Sequence, residues 1–318
     1  MDSRALGTGK LPIEVLSRKI LSMTGAESKL LLTPPKAGLD FAAIRMGGGY
    51  LIVSADPITG VSSDIGEYAI AVSANDVATS GNRPQFAESV VLLPEGSSAD
   101  YAGEIAGQMD RAARRLGITI VGGHTEVTPG LTRPIVAVTA FSFVKAYVSS
   151  QDAKAGDSIL MTRTAGLEGT AVLGGLRRFL NDISVVKEAT EAFRTGAVHA
   201  MHDCTEGGVL GAAYEMSLAS GLGFELHEED VPVAPETVAL CRRHSIDPLK
   251  LIGSGALLIS AQRGSEKKVE KALGRSTKVT RVGSFTKNGR ILVRKDGSRR
   301  IIRTAPEDEL WRVMARLS

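Results

Sequence analysis

The order of strand-like and helix-like stretches constrains this chain more than any single motif. Two strands are expected at residues 41–45 and 50–55, joined by Gly47-Gly48-Gly49, a hairpin signal. A helix is expected over 64–80, a strand over 88–93, and an alanine-rich helix over 99–116 closed by Gly117. Strands follow at 118–121 and 135–144. The second half restarts with a strand at 158–162 and a Gly-rich turn and helix over 166–179. Another helix starts near Gly207 and ends at Ser220-Gly221. Strands are expected near 223–226, 256–260, 279–284 and 291–294, and helices near 13–23, 235–244, 266–273 and 306–317. Strands and helices mix without strict βαβ alternation, so the fold class is α+β rather than a doubly wound parallel sheet. The polar, turn-rich stretch 149–156 divides the chain into expected domains 1–150 and 151–318. Two domains suit a length of 318 residues.

Composition narrows the functional classes. Hydrophobic residues make up 43% of the chain but aromatics only 4%, so the cores must be built from Ala, Val, Ile and Leu. The formal charge of +3 is too small to indicate nucleic acid. The late basic residues Arg290, Arg294, Lys295, Arg299, Arg300 and Arg303 are expected to be a solvated face. Cys204 and Cys241 form no disulfide framework, which suits a reducing compartment. No secretory pattern and no uncharged apolar run of about 18 residues is present, so a cytoplasmic protein without membrane contact is expected.

Three stretches carry candidate chemistry. In Ser73-Ala74-Asn75-Asp76-Val77-Ala78, Asp76 falls four residues after Val72 on the apolar face of its helix. A carboxylate there needs a cation or hydrogen bonds, or it caps a neighbouring loop. Asp40, Asp56 and Asp64 accompany it at strand ends and a helix start, the oxygen-rich pattern that a hard cation such as Mg²⁺ requires. Asp64-Ile65-Gly66-Glu67 also reads as a capping box. In Val121-Gly122-Gly123-His124-Thr125-Glu126, a strand enters paired glycines. The stretch is either a plain turn or an extended run that places His124 and Glu126 on one face and lets Gly122 and Gly123 approach a phosphate. In His202-Asp203-Cys204-Thr205-Glu206-Gly207-Gly208, a helix N-terminus with small residues offers an anion site. The His and Cys spacing is poor for zinc. Thr164-Ala165-Gly166-Leu167-Glu168-Gly169 repeats the strand–Gly loop–helix logic without the Gly-Lys-Ser/Thr of a Walker loop.

Taken in order, these stretches resemble the superfamily of aminoimidazole ribonucleotide (AIR) synthetase, thiamine-monophosphate kinase, selenophosphate synthetase and the hydrogenase-maturation branch HypE. The resemblance also draws on Gly9-Lys10-Leu11-Pro12, Gly38-Leu39-Asp40, Ser54-Ala55-Asp56, Asp247-Pro248-Leu249 and Gly253-Ser254-Gly255-Ala256-Leu257-Leu258, and is nearest to the HypE pattern. It implies a PurM-like two-domain fold. The N-terminal domains of a homodimer would form an intersubunit β-barrel, with ATP bound across that interface. The C-terminal domain would be an α/β sandwich covering the substrate. Mg²⁺ would be held by Asp40, Asp56 and Asp76, with Asp64, Asn75, Gly122, Gly123, Gly207 and Gly208 binding the nucleotide. His124 or Asp203 would handle a proton.

The chain departs from the HypE pattern at three places. It ends Met314-Ala315-Arg316-Leu317-Ser318 without a Cys, His124 replaces an Asp, and Glu206 replaces an Arg. The implied function is therefore ATP-dependent phosphorylation of an amide, carbonyl or similar oxygen on a different small-molecule or protein-borne acceptor, with other maturation proteins as possible partners. A non-catalytic nucleotide-binding assembly protein and a small-molecule kinase are the alternatives.

Overall fold

The computed structural model describes residues 6–61, 63–176, 183–274 and 277–317. Among them, the first half builds a five-stranded sheet in the order β1-β2-β5-β3-β4. β1 (Ala42–Met46) and β2 (Gly49–Ile58) form the expected hairpin. Gly47 and Gly48 occupy its corner at φ 51° and 79°, the left-handed pair that a two-residue hairpin turn demands. β5 (Ile135–Val144) runs antiparallel to both β2 and β3 (Phe86–Leu93), and β4 (Thr119–Val127) lies parallel to β3 at the edge. Burial alternates along β5, so one face is covered and the other is open.

α1 (Ile13–Lys19) precedes the sheet and ends before the expected residue 23, and the covering helices are α2 (Ile65–Ala78) and α3 (Ala99–Leu116). Ser98 starts α3 by accepting the Tyr101 N–H, and Gly117 ends it in a left-handed conformation. α2 was expected to carry one apolar stripe. It is instead buried at every residue except Glu67, because it also packs against the second half of the chain.

The second half forms a seven-stranded sheet, β12-β11-β8-β10-β6-β9-β7. Its strands are β6 (Ser158–Thr162), β7 (Val198–Asp203), β8 (Gly223–His227), β9 (Leu257–Ala261), β10 (Val279–Thr286), β11 (Arg290–Val293) and β12 (Arg299–Ile301). Its helices are α4 (Leu167–Gly174), α5 (Val186–Arg194), α6 (Gly208–Ser220), α7 (Pro235–His244), α8 (Glu266–Leu273) and α9 (Glu309–Leu317). One hydrophobic cluster joins Ile65, Val91 and Ile105 of the first half to Leu160, Val186 and Met201 of the second. The halves share a core, and the junction between them is a well-packed place for a site.

Several expectations change. α4 is shorter than the expected helix over 166–179, whose residues 177–179 lie outside the described set. The strand expected over 118–121 continues to Val127, so Gly122-Gly123 is not a turn. α5, β7 and β12 were not anticipated. β7 is Val-His-Ala-Met-His-Asp, nearly all buried, so it shows neither alternation nor a long apolar run.

Candidate functional site

The site grows from four acids on four separate elements. Asp40 lies in the loop before β1, Asp56 is inside β2, Asp76 is in α2, and Asp203 ends β7. Asp56 and Asp76 share a side-chain hydrogen bond, and Ser54 Oγ donates to Asp76 at 2.7 Å. Burial, then the charges of Asp56, Asp203 and Asp40, push Asp76 well above the usual carboxylate range. Burial also raises Asp56. Two carboxyls this close hold one proton between them. Burial and then Asp40 push Asp203 up to about 8.

A cationic framework stands against these acids. His202, next to Asp203 on β7, is 3% exposed. Its Nδ1 meets an Asp40 oxygen and its Nε2 meets Glu215 Oε2 at 2.9 Å. With a carboxylate at each nitrogen the ring is an imidazolium. Burial opposes its charge, but Asp40 and Glu215 prevail and hold it at about 10. Burial pushes Glu215 up, but Lys10 and His202 pull it down to about 2. Lys10 Nζ lies 3.4 Å from Glu215 Oε1, and its backbone N–H donates to Glu206 Oε2 at 2.7 Å. Glu206 also accepts from Trp311 Nε1 at 3.0 Å. Glu206 therefore pins the N-terminal arm beside the acids. Cys204 is buried, and burial and Asp203 raise its thiol, which makes it inert rather than nucleophilic.

Even with this framework the acids are not satisfied. Asp40 Oδ2 and Asp203 Oδ2 are buried without a hydrogen-bond partner. Among the described residues, no three His, Cys, Asp or Glu groups form a ready cage for a bare ion. Crowded carboxylates with orphaned oxygens but no closed cage suit an ion such as Mg²⁺, which completes its shell with water and phosphate oxygens. The donor set therefore fits a Mg-nucleotide.

The structure gathers Asp40, Asp56, Asp76 and Asp203 and leaves the other candidates apart. Asp64 is at the far end of α2 from Asp76, about 18 Å along the helix at 1.5 Å per residue. It occupies the N-cap position with φ 56° and makes no cap hydrogen bond, so the expected capping box does not form. Asn75 is fully buried, with its amide donating to the Ile183 carbonyl and its oxygen accepting the Val185 N–H, which locks the approach to α5. It serves the backbone rather than a ligand. The expected amide donors of α6 are also spent: Gly207 N–H donates to Asp308 Oδ2 and Gly208 N–H to the Thr205 carbonyl. A Cβ on Gly208 would lie 2.7 Å from the Leu249 and Leu251 carbonyls, so its glycine is needed for packing.

Gly122, Gly123 and His124 lie on the exposed edge strand β4. β5 and β3 separate β4 from β2, about 14 Å at the usual strand spacing. His124 Nε2 faces Glu126 Oε2 at 3.1 Å, with both side chains in solvent. A Cβ on Gly123 would fall 1.9 Å from the Ser89 carbonyl, so this glycine permits the close parallel pairing with β3. Glu215 was missed from sequence, although a lone carboxylate inside the apolar helix α6 is the same signal that singled out Asp76.

Comparison with known proteins places the fold among relatives. Residues 38–144 match the AIR synthase related protein N-terminal domain, and residues 154–296 match the corresponding C-terminal domain. Carbamoyl dehydratase HypE of Escherichia coli (strain K12) is 29% identical over 285 residues, covering 85% of each chain. The crystal structure of E. coli HypE, a hydrogenase maturation protein, superposes with a TM-score of 0.74 at 26% identity, covering 84% of this chain and 91% of that one. A crystal structure of hydrogenase maturation protein HypE in complex with ATP gives a TM-score of 0.73 at 22% identity, covering 96% and 98%. No helix among the described residues is long and apolar enough to cross a membrane. With both domain models matched in order along its length, the chain belongs to the AIR synthase-related family.

Proposed function

We propose that the chain is an ATP-dependent, HypE-like enzyme that uses Mg-ATP at the Asp40, Asp56, Asp76 and Asp203 cluster to activate an oxygen of its substrate. The observation that carries this reading is the convergence of four carboxyls with two orphaned buried oxygens at the junction of the halves. Bound Mg²⁺ would neutralise charge on the phosphates during transfer. His202 and Lys10 set the opposing charge, and His202 orients Asp40. Asp203, with a value near 8, is suited to exchange a proton near neutral pH.

A second copy of the chain is part of the proposal. All of β4 is exposed, and Val90 of β3 and Phe143 of β5 lie uncovered on one face of the sheet. A long, bare strand edge calls for a partner. Pairing there would close the sheets into a barrel and carry His124 and Glu126 toward the partner's acids.

Calorimetric titration with ATP, with and without Mg²⁺, together with a phosphate-release assay, tests the reading. Binding should require Mg²⁺, and Asp76→Asn should slow release by about a hundredfold. An Asp76→Asn protein that releases phosphate at the full rate would refute the assignment.

A further inference from the structure

Three of the late basic residues, Arg299, Arg300 and Arg303, are exposed as expected of a solvated face, and they line an open cleft of about 580 Å³ on the C-terminal half. Arg299, Arg300, Arg303 and Lys250 contribute to its wall, and Glu307 is its one acid among the described residues. Arg299 is held by Glu225. Arg300, Arg303 and Lys250 make no ion pair among the described residues, so three cations share the cleft with one carboxylate. Ile301, 61% exposed, supplies apolar surface.

The same stretch contains an open strand edge. β12 is the last strand of its sheet and, among the described residues, pairs only with β11. Ser298 accepts the Arg294 N–H, and the Ile302 N–H donates to Arg290, each at 2.8 Å. Bonded positions alternate in an antiparallel ladder, so Arg300 is the next residue bonded to β11. The backbone N–H and C=O groups of Arg299 and Ile301 therefore point away from the sheet.

We infer that this edge and its cleft dock an acidic, extended segment of a partner protein, which adds a strand to β12 and places carboxylates against Arg300, Arg303 and Lys250. The unpaired backbone supplies register and the cations supply charge selection. The cleft volume is within the range of specific binding sites. A nucleic acid is the weaker occupant, because no aromatic residue among the described ones lines the cleft for base stacking and the whole chain carries only +3. The inference does not depend on nucleotide binding.

The test is fluorescence anisotropy with a fluorescein-labelled octapeptide of alternating Glu and Val, titrated with the full chain. Saturable binding that weakens with salt is expected. The double variant Arg300→Glu/Arg303→Glu should lose about tenfold in affinity with an unchanged melting temperature. Ile301→Pro, which removes an outward N–H without changing charge, should lose a similar factor. If that variant misfolds, methylating alternate backbone nitrogens of the probe tests the same pairing on the unaltered protein. No saturation at millimolar probe, equal affinity in the charge-reversed variant, or equal affinity for the methylated probe overturns the inference. Tighter binding of a single-stranded oligonucleotide at these residues overturns it in favour of a polyanion site.

Discussion

His202 and His124 each sit beside carboxylates near a Gly-Gly pair, yet they occupy opposite environments. His202 is 3% exposed and clamped between Asp40 and Glu215 at the junction of the halves. The His124 side chain is 64% exposed on an edge strand and touches Glu126 of the same strand. In a buried site, two carboxylates fix the ring as a cation and the ring fixes their geometry. In solvent, water screens the equivalent contact and leaves the ring available to whatever approaches. The same residue type is a buried counter-ion in one place and a solvent-screened neighbour of Glu126 in the other.

The largest expected effect breaks the buried member. His202→Gln leaves Asp40 without its cation and Glu215 with Lys10 alone. Loss of one partner from a buried ionic network destabilises by about 3–5 kcal/mol. Chemical denaturation should show that loss, and Mg-ATP binding should weaken with it as Asp40 loses its orientation. An unchanged unfolding midpoint would mean that the clamp contributes nothing.

Gly123→Ala acts on the exposed strand through its backbone. The new Cβ would meet the Ser89 carbonyl at 1.9 Å, and the β3–β4 pairing would have to open. Overpacking of this kind costs about 1–3 kcal/mol. Thermal unfolding measures it, and a wild-type melting temperature would show that β4 is too loosely held to present His124.

Much of this architecture is legible in the chain because its local signals agree with each other. Residues 99–116 have a Ser cap, an amphipathic run and a Gly stop, and residues 235–244 start at Pro, so both helices stand where expected. Asp76 was legible because a carboxylate on an apolar face needs an explanation. The joining of Asp40 to His202 was not legible, since only tertiary packing brings them together. Gly207 and Gly208 misled for a related reason. Their pattern matches an anion site, but Asp308, far along the chain, already satisfies the first amide. β7 was hidden because burial removes the alternation that marks a strand.

Titration separates the two regions more gently. Burial and Asp40 raise Asp203 to about 8 from an ordinary 3.8. An acid raised on folding is neutral at no cost below 3.8, and the fold loses stability progressively as pH climbs through 8. His202, raised to about 10 from 6.5, contributes fully below 6.5 and is lost as pH rises through 10. Both slopes have the same sign, so the ligand-free protein should melt at a lower temperature at pH 8.5 than at pH 6. Mg²⁺ replaces the missing positive charge, so the rise in melting temperature on adding Mg-ATP should be greater at pH 8.5. A flat profile would mean that these acids are already relieved by some other group.

His124→Gln should have the smallest effect on stability, and it decides what the exposed histidine is for. The side chain is in solvent, so melting temperature should not change. Two results for phosphate release can then be told apart. If a second copy carries β4 to the acids, release falls by about a hundredfold while Mg-ATP binding persists, because a proton-handling group is lost and the ion's ligands are not. If β4 never reaches that site, the variant matches wild type in every assay. Light scattering on the same sample links either result to assembly, since a protein that is monomeric at assay concentration but sensitive to His124→Gln would contradict the shared site.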